Sequence, residues 1–304
     1  KPVPRNDEVL VKIHAATATT AGLMGRTGQP VVARLFSGLS KPKNDILGVE
    51  FSGEIVEIGK AVTTFRVGDP VFGMTGASTP GAYAEFKCMP AGGVMLTRPD
   101  GIDDNEAAAM VEGGLTALNF LRHKAKVQPG QSVLIYGASG SVGTAAVQVA
   151  KAFGASVTAV CSSANFALVR SLGADHVIDY QENDFTLNGK QYDVIFDAVG
   201  KRSFAECRRS MTADGNYLSV DAASTLLPMV WTRAFGRKKA LLSATYVRLA
   251  SDLKADLAML KELVQTGKMR AVIDRTYPLE KTADAHRYVE TGRKKGNVVI
   301  TIRA

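Results

Sequence analysis

One stretch, Ser132 to Phe153 (SVLIYGASGSVGTAAVQVAKAF), constrains the fold more than any other part of the chain. Val133, Leu134 and Ile135 form the short apolar run of a strand buried on both faces, and Pro129-Gly130 punctuates the chain ahead of it. The turn Ala138-Ser139-Gly140-Ser141-Val142-Gly143 follows as AxGxxG. In it, Gly140 admits backbone close to a pyrophosphate, and Gly143 lets a helix pack tightly on the strand. Val142, Ala146, Val149 and Phe153 then recur at helical spacing, so the N–H groups of a helix start face the turn and suit an anion. Gly154 stops the helix, and Ser156 to Cys161 supplies a second apolar strand. Strand, turn, helix and strand predict a βαβ unit that holds a dinucleotide; a nucleotide fold that has lost its ligand is the alternative.

The remaining composition allows this unit and one more. A chain of 304 residues has room for two domains, and 46% hydrophobic with 22% charged residues is ordinary for a globular protein. Val127 to Ala150 carries no charge, but its glycines, serines and glutamines argue against a membrane span, and no other stretch competes. Cys88, Cys161 and Cys207 are odd in number and far apart, which fits a reducing compartment and an expected cytoplasmic location. Because the sequence opens on Lys1, a targeting segment is left open. The net charge of +8 includes Arg237-Lys238-Lys239 and Arg293-Lys294-Lys295, read as solvated surface or as steering for an anionic cofactor. No long basic stripe with interleaved aromatics occurs, so nucleic acid is not an expected partner.

From Glu8 to Thr97 the signals are those of β structure. Glu8 to Ala15 alternates, with Val9, Val11 and Ile13 on one face and Leu10, Lys12 and His14 on the other. Phe51 to Ile58 alternates similarly, and Gly68-Asp69-Pro70 marks a turn, so this part predicts a partly closed barrel. Helical pattern begins at Glu106, with an expected break at Gly113-Gly114. Six strands are then predicted, at Ser132–Tyr136, Ser156–Cys161, His176–Ile178, Asp193–Asp197, Asn216–Val220 and Leu241–Val247, most separated by helices. That alternation predicts a doubly wound parallel sheet. A helix from Asp252 to Thr266, another from Thr282 to Glu290 and a strand from Asn297 to Ile302 close the chain. We therefore expect an α/β protein in which residues 101–267 form a nucleotide domain inserted between residues 1–100 and 268–304.

Taken together, GVEFSGEIVEIGKAVTTFRVGDPVFG from Gly48, GAYAEF from Gly81, AAAMVEGGLTAL from Ala107, the AxGxxG turn, LVRSLGADHVIDY from Leu168, YDVIFDAVG from Tyr192 and KKGNVVIT from Lys294 resemble the medium-chain dehydrogenase/reductase superfamily. Within it the chain is most similar to the zinc-free quinone oxidoreductase group. The resemblance implies a Rossmann NADP(H)-binding domain inserted in a GroES-like catalytic domain, a further barrel strand ahead of Lys1, and a substrate pocket in the cleft between barrel and sheet.

Zinc-bearing relatives use Cys, His and Glu ligands. Here Val49 stands where a histidine would be, Glu112 where a cysteine would be, and no cysteine lies near Ala21-Gly22. The three cysteines cannot build a structural zinc site, and the carboxylates Glu50 and Glu112 cannot hold the catalytic ion alone, so no metal is expected. Without a Lewis acid, reduction of an already activated acceptor is favoured over alcohol oxidation.

After the second strand comes Cys161-Ser162-Ser163-Ala164-Asn165, with no carboxylate where NAD-preferring folds carry one. Ser162, Ser163 and Asn165 can donate to a 2′-phosphate, so NADPH is expected; the alternative is that the serines cap the next helix. Ala164 departs from close relatives, which often carry a basic residue there. By resemblance, Tyr180 lies against the adenosine phosphate, and Ala138, Ser139, Gly140, Ser141 and Val142 lie under the pyrophosphate. Ala198, Val199 and Gly200 pass beside the nicotinamide ribose, Val220 with Asp221 closes the fifth strand, and Thr116 and Asn297 lie near the nicotinamide. For Asp197, ligand contact and loop organisation are equally open.

The resemblance implies hydride transfer from NADPH to a quinone or to the β-carbon of an enal or enone. The other open reading is an NADP(H)-binding structural or regulatory protein with little turnover. Thr19, Thr20 and Tyr83 are candidate donors to the substrate oxygen, each with a structural role as the alternative. His14, His123, His176 and His286 follow no relay spacing, and no catalytic acid is assigned. The segment from Ser224 to Lys239, with Trp231, is expected to form a lid or a partner surface, and the edge strand at Leu241–Val247 a homodimer contact.

Overall fold

The computed structural model describes residues 1–28, 45–76 and 80–302, leaving aside the side chains of residues 24 and 25. Among these, thirteen strands occur. They are β1 (Glu8–Ala18), β2 (Glu50–Ile58), β3 (Pro70–Met74), β4 (Phe86–Pro90), β5 (Met95–Thr97), β6 (Ser132–Tyr136) and β7 (Ser156–Cys161). There follow β8 (His176–Asp179), β9 (Tyr192–Asp197), β10 (Met211–Ser219), β11 (Lys239–Leu241), β12 (Ile273–Pro278) and β13 (Asn297–Thr301). The chain divides into two units. The first comprises Lys1–Glu112, Tyr246–Thr266 and Arg270–Ala304, and the second Gly113–Thr245 and Gly267–Met269.

The first unit is built around β1. Its first half pairs antiparallel with β4 and its second half with β13, while β2 runs along the other side. The sheet order is β12-β13-β1-β2-β3-β5, with β4 also on β1. Register shifts between Leu10 and Val11 and between Ile13 and Ala15 bend β1, as bulges do, and curl the sheet toward a barrel. Val9, Val11 and Ile13 point into one core with Phe51, Ile55, Met89, Met95, Val298 and Ile300. Leu10, on the opposite face, is buried as well. The helix Ala250–Gln265 is tied to the end of β5 through the Lys261 ammonium, which donates to the Thr97 carbonyl at 2.9 Å.

The expected break at Gly113-Gly114 does not occur: the helix Asp104–Leu118 passes through both and continues as a π-turn over Asn119–Lys124. Packing explains the glycine, since a Cβ at Gly113 would lie 2.9 Å from the Ser141 carbonyl oxygen.

In the second unit all six strands run parallel, in the order β11-β10-β9-β6-β7-β8. Val133, Leu134, Ile135, Val157, Val194, Ile195 and Phe196 have no exposed surface, as their unbroken apolar runs require. The order reverses between β6 and β9, so the crevice at their carboxyl ends is the topological switch point, where open α/β sheets hold ligands. The sixth strand differs from expectation. It is Lys239–Leu241, and the later apolar residues form a single 3₁₀ turn over Thr245–Val247 with Val247 exposed. The segment after β10 is a helix, Ala222–Phe235, capped by the Asp221 carboxylate through the N–H groups of Ala223 and Ser224.

Candidate functional site

The carboxyl ends of the six parallel strands gather most of the residues singled out above. The turn leaving β6 is anchored from below, where the Val160 carbonyl accepts the N–H groups of Gly137 and Ala138. Gly140 then precedes the helix Ser141–Ala152, and no side chain caps that helix start. A Cβ at Gly143 would meet the Gly137 carbonyl oxygen at 2.1 Å and Ala138 Cα at 2.7 Å, so helix and turn fit only around glycine. A Cβ at Gly140 would meet only the Gly137 oxygen, at 3.5 Å. Protein packing therefore leaves room above Gly140, beside an uncapped helix N-terminus whose partial positive charge suits phosphate. The cradle fits the pyrophosphate of a dinucleotide.

Beyond β7, the Asn165 amide donates to Ser139 Oγ at 3.1 Å and to Ser162 Oγ at 3.2 Å, joining two of the predicted binding segments. Ser162 makes no side-chain cap, so its hydroxyl is not the helix cap that the sequence left open. One feature escaped the sequence reading. Asp179, at the end of β8 and in register with Cys161, accepts the Ser163 N–H at 2.9 Å. Backbone hydrogen bonds, that of Gln181 foremost, hold this carboxyl below its ordinary range. A carboxylate thus stands beside the serines, donated by the neighbouring strand and not by β7 itself. Tyr180, next along, is half exposed and leans toward Tyr136, ring centroids 6.3 Å apart.

At the end of β9, Asp197 is an organiser of its loop. It accepts the N–H groups of Val199 (3.1 Å), Gly200 (2.9 Å) and Arg202 (2.7 Å). Burial raises its pKa against the pull of those donors. The loop Ala198-Val199-Gly200 is fixed in this way at the switch point, with Val199 exposed, and Val220 is exposed at the end of β10. Thr116 is buried in the helix Asp104–Leu118. Burial pushes the Cys161 and Cys207 thiols up, to about 11 and about 12, which makes both poor nucleophiles.

The first unit holds a second cluster. Glu50, on β2, accepts the Thr17 hydroxyl and, at 2.6 Å, the Glu112 N–H. Glu112 accepts the hydroxyl of Tyr246, and its carboxyl lies near enough to that of Glu50 for the two charges to repel. Two buried carboxyls side by side favour keeping a proton on the pair. Desolvation raises both pKa values, and for Glu50 the neighbouring Glu112 adds to the rise. The ammonium of Lys294 donates to the Gly296 carbonyl at 2.8 Å, its pKa lowered by burial while the two carboxyls oppose that fall.

Thr19 is buried and Tyr83 reaches the backbone of Thr17, while Thr20 begins the helix Thr20–Thr27 with its side chain exposed. Thr19 Oγ1 also accepts the Gly22 N–H at 3.0 Å. Tyr83 Oη donates to the Thr17 carbonyl at 2.9 Å and lies 3.2 Å from His286 Nε2. With its proton so placed, Tyr83 accepts from His286, which puts the imidazole proton on Nε2. Nδ1 of His286 is then a buried acceptor without a partner among the described residues. Burial lowers the His286 pKa and, with the nearby carboxylates, raises that of Tyr83. Both rings line a cavity of about 620 Å³ that also touches Arg26, Leu47 and Leu279. Asn297 is buried, its amide donating to the Val272 carbonyl at 3.1 Å.

The dyad has a consequence for stability. The folded chain keeps this carboxyl proton to higher pH than the unfolded chain, whose carboxyls titrate near their ordinary 4.5. Its stabilising effect is full below that value and is lost as pH climbs through the raised range. Glu50→Gln removes this dependence, so melting temperature plotted against pH should flatten on the alkaline side relative to the unmodified chain.

Comparison with known proteins gives the same architecture. Residues 5–99 match the alcohol dehydrogenase GroES-like domain and residues 172–300 the zinc-binding dehydrogenase family. The zinc of that description does not fit this donor set. Glu50 and Glu112 already accept hydroxyl donors, and no group of three or more metal-binding side chains occurs among the described residues. The chloroplast envelope quinone oxidoreductase homolog of Arabidopsis thaliana is 30% identical, over 98% of this chain and 91% of the relative. The 2-methylene-furan-3-one reductase of Solanum lycopersicum is 31% identical, over 98% and 73%. The solved quinone oxidoreductase of Coxiella burnetii superposes with a TM-score of 0.86 at 30% identity, covering 100% of this chain and 93% of that one. With its GroES-like domain, its Rossmann sheet and these relatives, the chain is an oxidoreductase that belongs to the quinone oxidoreductase group of the medium-chain dehydrogenase/reductase superfamily.

Proposed function

We propose that the chain transfers hydride from NADPH to a quinone or to the β-carbon of an enal or enone. The observation that carries this reading is the room above Gly140 beside an uncapped helix start, at the switch point of a parallel sheet. When bound, the reduced nicotinamide supplies the hydride. The protein's part is to hold the dinucleotide: the turn Ala138 to Val142 meets pyrophosphate, Ser162, Ser163, Asn165 and Tyr180 meet the adenosine end, and Ala198, Val199, Gly200 and Val220 border the nicotinamide ribose. Thr116 and Asn297 belong to the nicotinamide end. Tyr83 already donates its proton inside the barrel unit and Thr19 Oγ1 is engaged by the Gly22 N–H, so in this reading they shape the acceptor pocket and deliver no proton to product. The names of the relatives support both acceptor classes, a quinone for one and a conjugated ketone for another.

The choice between NADPH and NADH turns on a few atoms. Ser162 and Asn165 favour a 2′-phosphate, while the Asp179 carboxylate occupies the Ser163 N–H and adds a negative charge nearby. The preference for NADPH is therefore soft. Ala164→Arg supplies the missing cation, and a charge-assisted bond of about 1.5–3 kcal/mol should raise the NADPH-to-NADH ratio of kcat/KM by about ten- to a hundredfold. A ratio that stays put would place the 2′-phosphate elsewhere.

The reading as a whole is tested by following nicotinamide absorbance with a panel of small quinones and enones, each with NADPH and with NADH. Rapid oxidation by at least one acceptor class is expected. Tight binding without oxidation by any acceptor would select a structural or regulatory role. Two copies pairing along the β11 edge belong to the same reading, and light scattering measures that assembly.

A further inference from the structure

We propose that Glu112 is the acid that gives a proton to the reduced acceptor, with Glu50 packed behind it. The assignment rests on the hydride-transfer reading above, which leaves the product one proton short and takes none from Thr19 or Tyr83. When hydride reaches the β-carbon of an enone, the electron pair of the double bond moves toward the carbonyl as an enolate. The α-carbon must then take a proton; in a quinone, the hydroquinone anion takes it on oxygen. A donor for this step is a carboxyl still protonated at neutral pH, open on one side, and placed where the charge it is left with can be borne.

The carboxyl pair of the first unit has these properties. Glu50 has no exposed surface and is engaged by two donors, the Thr17 hydroxyl and, at 2.6 Å, the N–H of Glu112 itself. Glu112, Tyr246 and Lys294 are only half-buried, so the cluster is closed behind Glu50 and open at Glu112. Placement along the chain agrees. Glu112 and Thr116 are one turn apart on the helix Asp104–Leu118 and share a face, and Lys294 comes three residues before Asn297. Thr116 and Asn297 are the two residues given above to the nicotinamide end. Desolvation holds both carboxyls above their ordinary range, which keeps a proton on the pair near neutral pH. Glu112 Oε1 accepts the Tyr246 hydroxyl, so the proton to be given sits on Oε2. In the transfer that O–H bond breaks, a C–H or O–H bond forms on the product, and water restores the proton from the open side. The carboxylate left on Glu112 is stabilised by the Tyr246 hydroxyl, whose bond becomes charge-assisted, and by the Lys294 ammonium, held on the Gly296 carbonyl at 2.8 Å.

The titratable groups facing the pair are Tyr83, Tyr246 and Lys294. Both tyrosines have raised pKa values and keep their protons where the carboxyls titrate, so an alkaline fall in activity belongs to the carboxyls or to Lys294. Glu112→Gln separates the two, because it keeps an acceptor for Tyr246 and the backbone N–H for Glu50 but has no proton to give. With the fastest acceptor of the panel, kcat of this variant should drop by about a hundredfold or more, with NADPH affinity and neutral-pH melting temperature held. The alkaline fall in kcat shown by the unmodified chain should vanish with it. Glu112→Asp, which retains the carboxyl, should keep measurable turnover and the alkaline fall. In the chain without ligands, infrared spectra should show a protonated-carboxyl stretch at neutral pH that fades on alkaline titration and is weaker in Glu112→Gln. A loss in kcat under about tenfold, an alkaline fall that persists in Glu112→Gln, or a carboxyl band unchanged by that substitution would overturn the assignment. Dinucleotide binding without oxidation by any acceptor in the unmodified chain would overturn the underlying reading and the assignment with it, a failure seen before any variant is measured.

Discussion

Gly143→Ala should all but abolish dinucleotide binding. The new methyl would sit 2.1 Å from the Gly137 carbonyl oxygen and 2.7 Å from Ala138 Cα, both backbone atoms that no rotamer change can move aside. The helix Ser141–Ala152 must then lift from β6, which costs about 1–3 kcal/mol in packing. It also withdraws the helix N-terminus from the anion, and affinity for NADPH should fall about a hundredfold. Gly140→Ala is the informative contrast. Its methyl meets only one oxygen, at 3.5 Å, on a backbone with φ of −80° that any residue adopts. Melting temperature should hold while binding weakens, because the methyl occupies space that packing left for the ligand.

The second large effect is expected at the barrel's carboxyl dyad. Glu50→Ala removes the acceptor of the Thr17 hydroxyl and of the Glu112 N–H, and leaves Glu112 facing Lys294 without its partner. Opening a buried charged network by deleting one member costs about 3–5 kcal/mol. Denaturant unfolding should show a loss of that size, and Glu50→Gln, which keeps shape and hydrogen-bonding capacity, should restore most of it. A loss under about 1 kcal/mol for Glu50→Ala would mean that the dyad is solvated and not the buried pair described.

The two sites were legible in the sequence to different degrees, for a physical reason. The phosphate cradle is a local object: Gly140 and Gly143 are three residues apart, and their requirements follow from one strand, one turn and one helix. The strands at Ser132–Tyr136 and Ser156–Cys161 were equally plain, because strands buried on both faces need unbroken apolar runs. Leu241–Val247 offered a similar run and ended as a three-residue strand and a turn, since apolar character alone does not show where pairing with β10 stops. The dyad was not readable in advance. Glu50 meets Thr17 across 33 residues and Glu112 across 62, Tyr246 reaches Glu112 across 134, and Tyr83 reaches His286 across 203. Asp179 is hidden in the sequence for a related reason: the carboxylate beside the end of β7 comes from the neighbouring strand β8 and not from β7 itself.

The account stands on the cradle at Gly140, and titration of NADPH and NADH into the purified chain and into Gly140→Ala, followed by nicotinamide fluorescence, tests it most directly. The unmodified chain should saturate with NADPH in the micromolar range, and Gly140→Ala, folded and equally heat-stable, should bind at least about tenfold more weakly. Failure of the folded unmodified chain to bind either dinucleotide at millimolar concentration, or equal binding by Gly140→Ala, would contradict it.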